Sequence, residues 1–283
     1  MWEFLPSQNQ WIWQDGSDLR NQRGNNNSTE TVEIPGARDA PVSWVDPNQE
    51  DTLWLFGGFG YGNSDSLIYL NDLWRYRKEE GWVWIAGNSA QENGVYEDDV
   101  TSPGGRWYAT GWTDKEGGLW LFGGSVSVSG VFNRLNDLWR FDGNWKWIGG
   151  SNTTNAPAIY TGDNQTPGGI EESQVWQFPN GTVWLFGGTI RDADNTLTVV
   201  NDIWEWEPTY HQWKWLSGEK GVPDSGQRGA KGEPNVGNIL GSRRDGSTAI
   251  DSQGSLWLFG GSNSSSSGTF DSLPFLTLLR FVE

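Results

Sequence analysis

The sequence predicts an all-β protein: a propeller of four four-stranded antiparallel blades, its ring closed by N-terminal strands that complete the C-terminal blade. Three observations carry this expectation. An apolar, aromatic run ending in two glycines occurs four times, as Leu53-Trp54-Leu55-Phe56-Gly57-Gly58, Leu119-Trp120-Leu121-Phe122-Gly123-Gly124, Val183-Trp184-Leu185-Phe186-Gly187-Gly188 and Leu256-Trp257-Leu258-Phe259-Gly260-Gly261. The copies are evenly spaced, with Trp54, Trp120, Trp184 and Trp257 lying 66, 64 and 73 residues apart. Short alternating aromatic stretches bounded by Gly, Asn or Asp follow the first three runs, the pattern of adjacent antiparallel strands. A repeat of this length with four strands per unit implies radial repetition, because one such sheet cannot bury both its faces alone.

The chain begins inside a unit. Met1-Trp2-Glu3-Phe4 matches the third strand of the second unit, Leu138-Trp139-Arg140-Phe141, and Gln10-Trp11-Ile12-Trp13 matches its fourth, Asn144-Trp145-Lys146-Trp147. Residues Gly16–Ile34 are polar and Asn-rich and read as a long surface loop. First strands, rich in small residues, follow Pro35-Gly36-Ala37-Arg38, Pro103-Gly104-Gly105-Arg106 and Leu240-Gly241-Ser242-Arg243. With strands named a to d, the blades run over about 36–87, 104–150, 168–217 and 241–283, the last completed by 1–15, within one domain of 283 residues. One detail conflicts with four equal blades. Trp2–Phe4 and the worn copy Leu278-Leu279-Arg280-Phe281 are both strand c. Either the first replaces or flanks the second, or the chain is an excerpt of a longer array.

The paired glycines, the Asn-Asp-Leu-Trp-Arg-aromatic strand and the closing Trp-x-Trp strand together resemble the kelch repeat, over nearly the whole chain. The resemblance implies a kelch-type propeller. Such propellers are mostly protein-interaction scaffolds, and some related ones carry sugar enzymes. The third unit departs from the pattern with Ile170 where Arg38, Arg106 and Arg243 stand, and Phe178 where Asp46, Asp114 and Asp251 stand; the fourth has Thr277 for the strand-c Asp and Leu279 for its Trp.

Residues repeated in every blade serve what every blade needs. Gly57, Gly58, Gly123, Gly124, Gly187, Gly188, Gly260 and Gly261 should end strand b in a conformation barred to other residues. Asp72, Asp137 and Asp202 should accept backbone N–H groups at the start of strand c, ahead of Trp74, Trp139 and Trp204. The repeated arginines should pair with such carboxylates between blades. Binding should instead use what differs. The a–b and c–d connections are short, whereas Phe59–Leu70, Ser125–Leu135, Thr189–Val200, Ser262–Phe275, Asn88–Ser102, Ser151–Thr166 and Ser217–Ile239 are long and leave from the other face. On that face the candidate partner-binding residues are Tyr61, Tyr69, Tyr96, Phe132, Arg134, Tyr160, Arg191, Asp192 and Asp194. The competing expectation is that Tyr61, Tyr69, Phe132 and Tyr160 pin their own loops.

Composition narrows function. A net charge of −17 argues against a phosphate-backbone binder and against an anionic membrane surface, and no apolar run reaches the length of a membrane span. Without cysteine there are no disulfides or thiolate metal sites. His211, the one histidine, lies in a c–d turn and offers no His-rich metal site and no Ser-His-Asp arrangement. Glu97-Asp98-Asp99 and Asp192–Asp194 read as solvated acids more readily than as calcium ligands. No catalytic residue, metal or cofactor is expected. Six sequons, at Asn26, Asn27, Asn152, Asn164, Asn180 and Asn263, favour a secreted or cell-surface setting, although no signal peptide precedes Trp2. The leading expectation is a non-catalytic interaction module for a protein partner, with self-assembly through the spare strand c. The alternative is a lectin or a sugar isomerase resembling the sialic-acid mutarotases of the kelch group, with Arg and acidic residues around the axis.

Overall fold

The computed structural model describes residues 1–25, 33–49, 51–88, 95–97, 100–128, 130–192, 194–263 and 276–278, and all regular structure among them is β. Three sheets are four-stranded antiparallel meanders in chain order. The first joins Val42–Val45, Thr52–Phe56, Leu73–Arg77 and Gly81–Ala86; the second Thr110–Thr113, Leu119–Phe122, Leu138–Phe141 and Trp145–Gly149; the third Gln174–Gln177, Val183–Phe186, Ile203–Glu207 and Gln212–Ser217. A fourth sheet has three described strands, Arg244–Ile250, Leu256–Ser262 and Leu276–Leu278. Trp2–Leu5 and Gln10–Trp13 form a separate two-stranded hairpin.

The side-chain period of two explains the stacking. In the second sheet Leu119 and Leu121 point to one face and Trp120 and Phe122 to the other. The leucines pack against Val42, Trp44, Phe56 and Leu73 of the first sheet. The aromatics pack against Val183, Leu185, Trp204 and Trp206 of the third. Trp176, Phe186 and Ile203 then meet Leu256 and Leu258 of the fourth. Because successive sheets bury opposite faces, Trp74, Trp139 and Trp176 are among the largest fully buried side chains.

Main-chain bonds tie each sheet to the next at the paired glycines. Gly58 N–H donates to Arg106 O, Leu70 N–H to Gly58 O and Arg106 N–H to Leu70 O. The triangle recurs as Gly124, Leu135 and Ile170, and again as Gly188, Val200 and Arg243. Both glycines of every pair have positive φ, from 62° to 103°. In the first three pairs the first glycine also leaves no room for a side chain. A Cβ on Gly57 would lie 2.9 Å from the Arg106 carbonyl oxygen and one on Gly123 2.6 Å from that of Ile170, whereas one on Gly260 meets nothing within 4 Å.

Two features differ from the sequence expectation. The strand c of the fourth sheet is Leu276–Leu278, with Phe259 opposite Leu276, where Phe122 is opposite Leu138. The worn copy therefore sits two residues earlier than the motif suggested. A two-residue slip leaves every side chain on its face, so alternation cannot distinguish the registers. The long b–c connections are not irregular either. Phe59–Tyr61 pairs with Leu67–Tyr69, Ser125–Val128 with Val131–Arg134, and Thr189–Arg191 with Leu197–Val199, giving three hairpins that continue the b and c strands beyond the glycines.

Candidate functional site

The face bearing these hairpins has a rim and a centre. At the rim, the structure accounts for most of the sequence-derived candidates by contacts within the protein. Tyr69 is buried, its ring against Phe59 and Trp107, and desolvation raises its pKa. Phe132 stacks on Trp107 at 5.9 Å and stays 40% exposed. Tyr61 ends the first strand of the first hairpin, its N–H bonded to Ala37 O. Arg134 is buried in an ion pair with Glu171. Arg191 donates to Asn195 and, across to the neighbouring hairpin, to Phe132 O. Asp192 caps its own turn by accepting from Asp194 N, Thr196 N and the Thr198 hydroxyl, which holds its carboxyl below the ordinary range; Asp194 is exposed. Tyr96 lies on the strand Val95–Glu97, and Asp98 and Asp99 fall outside the described residues.

Tyr160 replaces a missing repeat residue. Arg38 and Arg106 each pair bidentately with the strand-c carboxylate of their own sheet, Asp72 and Asp137, rather than with a neighbouring sheet. The same carboxylates accept the indole N–H of Trp74 and Trp139. In the third unit Ile170 leaves Asp202 without that arginine. The Tyr160 hydroxyl donates to Asp202 at 2.9 Å instead, joined by Lys220 N and Gly221 N. Burial and the Asp202 charge both raise the Tyr160 pKa. The lost turn aspartate is offset similarly: Asp46, Asp114 and Asp251 each accept the strand-b indole N–H, and where Phe178 stands Trp184 donates to Glu205.

The centre of this cluster is where the first strand of each unit begins. Ala40, Tyr108, Glu172 and Asp245, each two residues after the position of the repeated arginine, have φ of 47°, 51°, 61° and 58°. Left-handed backbone is uncommon for residues with a side chain and costs about 1 kcal/mol each. The four are linked head to tail: Tyr108 N–H donates to Ala40 O, Glu172 N–H to Tyr108 O and Asp245 N–H to Glu172 O. Their side chains, with those of the residues just before them, bring titratable groups of several units together. Arg244 Nη1 reaches both oxygens of Glu172 at 2.6 Å, and the Thr189 hydroxyl donates to the same carboxylate. Trp107 Nε1 donates to the Ser125 hydroxyl, which donates to Glu171.

Protonation at this centre is set by burial and by negative neighbours. Tyr108 is pushed up to about 12 by burial, then by Asp39, Glu172 and Asp245. Asp245 is raised by burial and by Glu172, against the pull of Arg244. Burial raises Glu171, opposed by Arg134 and the Ser125 hydroxyl. The arrangement offers carboxylate acceptors and a phenol beside the ring faces of Trp107 and Tyr108, a set that suits hydroxyl groups or a cation. His211 is exposed in the turn before Gln212–Ser217, stacked on Trp206. Among the described residues no three His, Asp or Glu side chains come together to hold a metal ion.

Sequence reasoning passed over Asp39, Tyr108, Glu172, Arg244 and Asp245. The signal was present in their position, next to the repeated arginine yet different in every unit. No protein-family model matches the chain. No curated protein matches it either.

Proposed function

We propose that the chain is a kelch-type propeller of four blades that binds a protein partner through the face carrying the b–c hairpins. One observation carries this reading, the distribution of exposed large apolar side chains. Leu67, Val131 and Phe132 stand on the hairpins, and Leu19, Ile159, Val222, Val236 and Ile239 on the d–a connections of the same face. Among the described residues the short-turn face has Tyr210 alone. The remaining exposed set, Trp2, Phe4, Trp11, Ile12, Trp13, Val45, Trp257 and Phe259, belongs to the fourth blade and its junction with the first. Apolar groups around an acidic centre fit a partner that presents apolar side chains about a basic residue.

The ring itself is part of this proposal. Three supports favour it: the sheets stack in chain order through one repeated joint, their inner strands link head to tail, and the N-terminal hairpin has the register of a c–d pair. Trp2 is opposite Trp13 and Phe4 opposite Trp11, as Trp139 is opposite Trp147 and Phe141 opposite Trp145.

A second reading, recognition of a glycan, is favoured by the convergence of Tyr108, Glu172, Arg244 and Asp245 at the axis. The two are separated by a pull-down and a glycan array run in parallel. Partner binding lost in Val131→Ser/Phe132→Ser but kept in Tyr210→Ser supports the protein reading. Glycan binding lost in Asp245→Asn and kept in Val131→Ser/Phe132→Ser supports the alternative, and binding indifferent to all three variants removes this face from consideration.

A further inference from the structure

Two segments of the chain carry the pattern of a third strand for the fourth sheet, and one of them holds its edge. Strand b of the fourth sheet, Leu256–Ser262, is bordered by Leu276–Leu278, with Trp257 opposite Leu278 and Leu258 opposite Thr277. In the other sheets the residue opposite that leucine is tryptophan: Leu55 faces Trp74, Leu121 faces Trp139 and Leu185 faces Trp204. The N-terminal hairpin carries that tryptophan as Trp2, in a pair spaced like the others; the Phe4 and Trp11 rings are 5.0 Å apart, against 5.3 Å for Tyr76–Trp82, Phe141–Trp145 and Trp206–Trp213.

The hairpin already lies at the far end of the stack. Met1 lines a cavity of about 320 Å³ with Leu53, Leu55 and Trp82 of the first sheet, and Glu3 pairs with Lys78. Leu53 and Leu55 point away from the second sheet, since Trp54 and Phe56 point toward it. At the other joints this space is filled. Phe56 packs on Trp145 at 5.2 Å and Phe122 on Trp213 at 4.9 Å, with Trp54 on Phe141 and Trp120 on Trp206 alongside. The side chains in the corresponding places at the fourth joint are Phe259 and Trp257, 58% and 40% exposed, and their counterparts are Trp82 and Tyr76.

We infer that Trp2–Leu5 displaces Leu276–Leu278 as strand c of the fourth blade, so that the hairpin and the a–b pair of that blade zip together and Trp257 and Phe259 fill the cavity beside Leu53 and Leu55. The inference rests on the four-bladed reading above. The register follows the repeat, with Phe259 opposite Met1, Leu258 opposite Trp2 and Trp257 opposite Glu3. Closure brings Gly261 N–H to Arg38 O and Ala40 N–H to Asp245 O, completing the fourth joint and the axial ring. The exchange thereby completes the candidate site at the axis and frees the Leu276–Leu278 strand.

Because the chain has no cysteine, paired cysteines report the register directly. Three full-length variants are oxidised and read by non-reducing gel and peptide mapping: Glu3→Cys/Trp257→Cys, Ile12→Cys/Leu278→Cys and Trp257→Cys/Leu278→Cys. Displacement predicts an intramolecular crosslink in more than about half the chains of the first variant and little in the others, as facing strand positions lie within disulfide reach. Thr277→Pro then leaves the melting midpoint within about 1 °C of the parent, since the strand it disables is already released. A crosslink dominant in the second variant means that Gln10–Trp13 flanks Leu276–Leu278, which overturns displacement and keeps the ring. A crosslink confined to the third overturns both. Covalent dimers of the first variant, or a midpoint several degrees lower in Thr277→Pro, also overturn the intramolecular exchange.

Discussion

The joint between the first and second sheets and the place where the fourth sheet should meet the first use the same residue types but differ in how they are filled. At the first, a backbone triangle through Gly58, Leu70 and Arg106 sits above interleaved leucines and aromatics, with Phe56 edge-on to Trp145. At the second, Gly260 faces open space, Trp257 and Phe259 face solvent, and Leu53 and Leu55 line a cavity. In the proposed ring each blade contributes half of two joints, so the last joint would depend on strands from opposite ends of the chain finding one another.

The largest effect expected from this contrast comes from the buried ion pairs behind the formed joints. Arg106 and Asp137 are 1% and 0% exposed, bonded at 2.6 Å, and the carboxylate also takes the Trp139 indole. Asp137→Ala leaves the guanidinium buried without its carboxylate partner, and a loss of about 3–5 kcal/mol is expected in denaturant unfolding. Asp202→Ala, which strands a phenol and two backbone N–H groups rather than a cation, should cost less, about 1–3 kcal/mol. Equal losses would mean that Tyr160 replaces the missing arginine in energy as well as in place.

A glycine comparison asks whether the fourth joint forms. Gly123→Ala meets both left-handed backbone strain and the Ile170 carbonyl at 2.6 Å, and should lose more than about 2 kcal/mol. If the ring closes, Gly260→Ala meets Arg38 O in the same way and loses as much. If the joint stays open, only the backbone strain remains, about 1 kcal/mol.

How much of this was legible beforehand depends on which physical property the sequence records. Alternation of Leu or Val with Trp or Phe on strand b recorded the stacking, because in the second and third sheets each face meets a different sheet. The fourth-sheet register was not recorded, since a slip of two residues preserves the alternation along the strand. The b–c hairpins were hidden by length: Phe59–Tyr61 and Leu67–Tyr69 are three-residue strands whose alternation is too short to separate from a loop. The axial centre was hidden for another reason. Nothing in the residue types Tyr108 and Glu172 announces a left-handed backbone, and the convergence arises from the chain of backbone bonds running from Ala40 through Tyr108 and Glu172 to Asp245, which no local pattern encodes.

That centre gives a smaller effect of opposite sign. Asp245 has its pKa raised by burial and by Glu172, so its charge opposes folding at neutral pH. Asp245→Asn removes the charge, and asparagine tolerates positive φ as well as any residue with a side chain. Asp245 is exposed to solvent, which screens this effect, so the variant should be more stable at pH 7 by well under about 1 kcal/mol, with the gain vanishing in acid, where the aspartate is already neutral.

The smallest effect is spectroscopic and concerns Tyr108, between Asp39 of the first unit and Glu172 and Asp245 of the third and fourth. Its ionisation is raised from 10.0 to about 12, with burial the largest cause and the three carboxylates following. A raised folded-state value favours the neutral phenol, so its contribution to stability is whole below pH 10 and is lost as the pH climbs toward 12. Phenolate absorbance in the wild type should therefore contain a late component that Tyr108→Phe deletes. Asp39→Asn and Asp245→Asn should each move it to lower pH without abolishing the delay, because burial persists. Asp39, the largest of the three carboxylate influences, should move it further than Asp245, the smallest; the reverse order would mean that in solution the phenol lies nearer the fourth unit than the first.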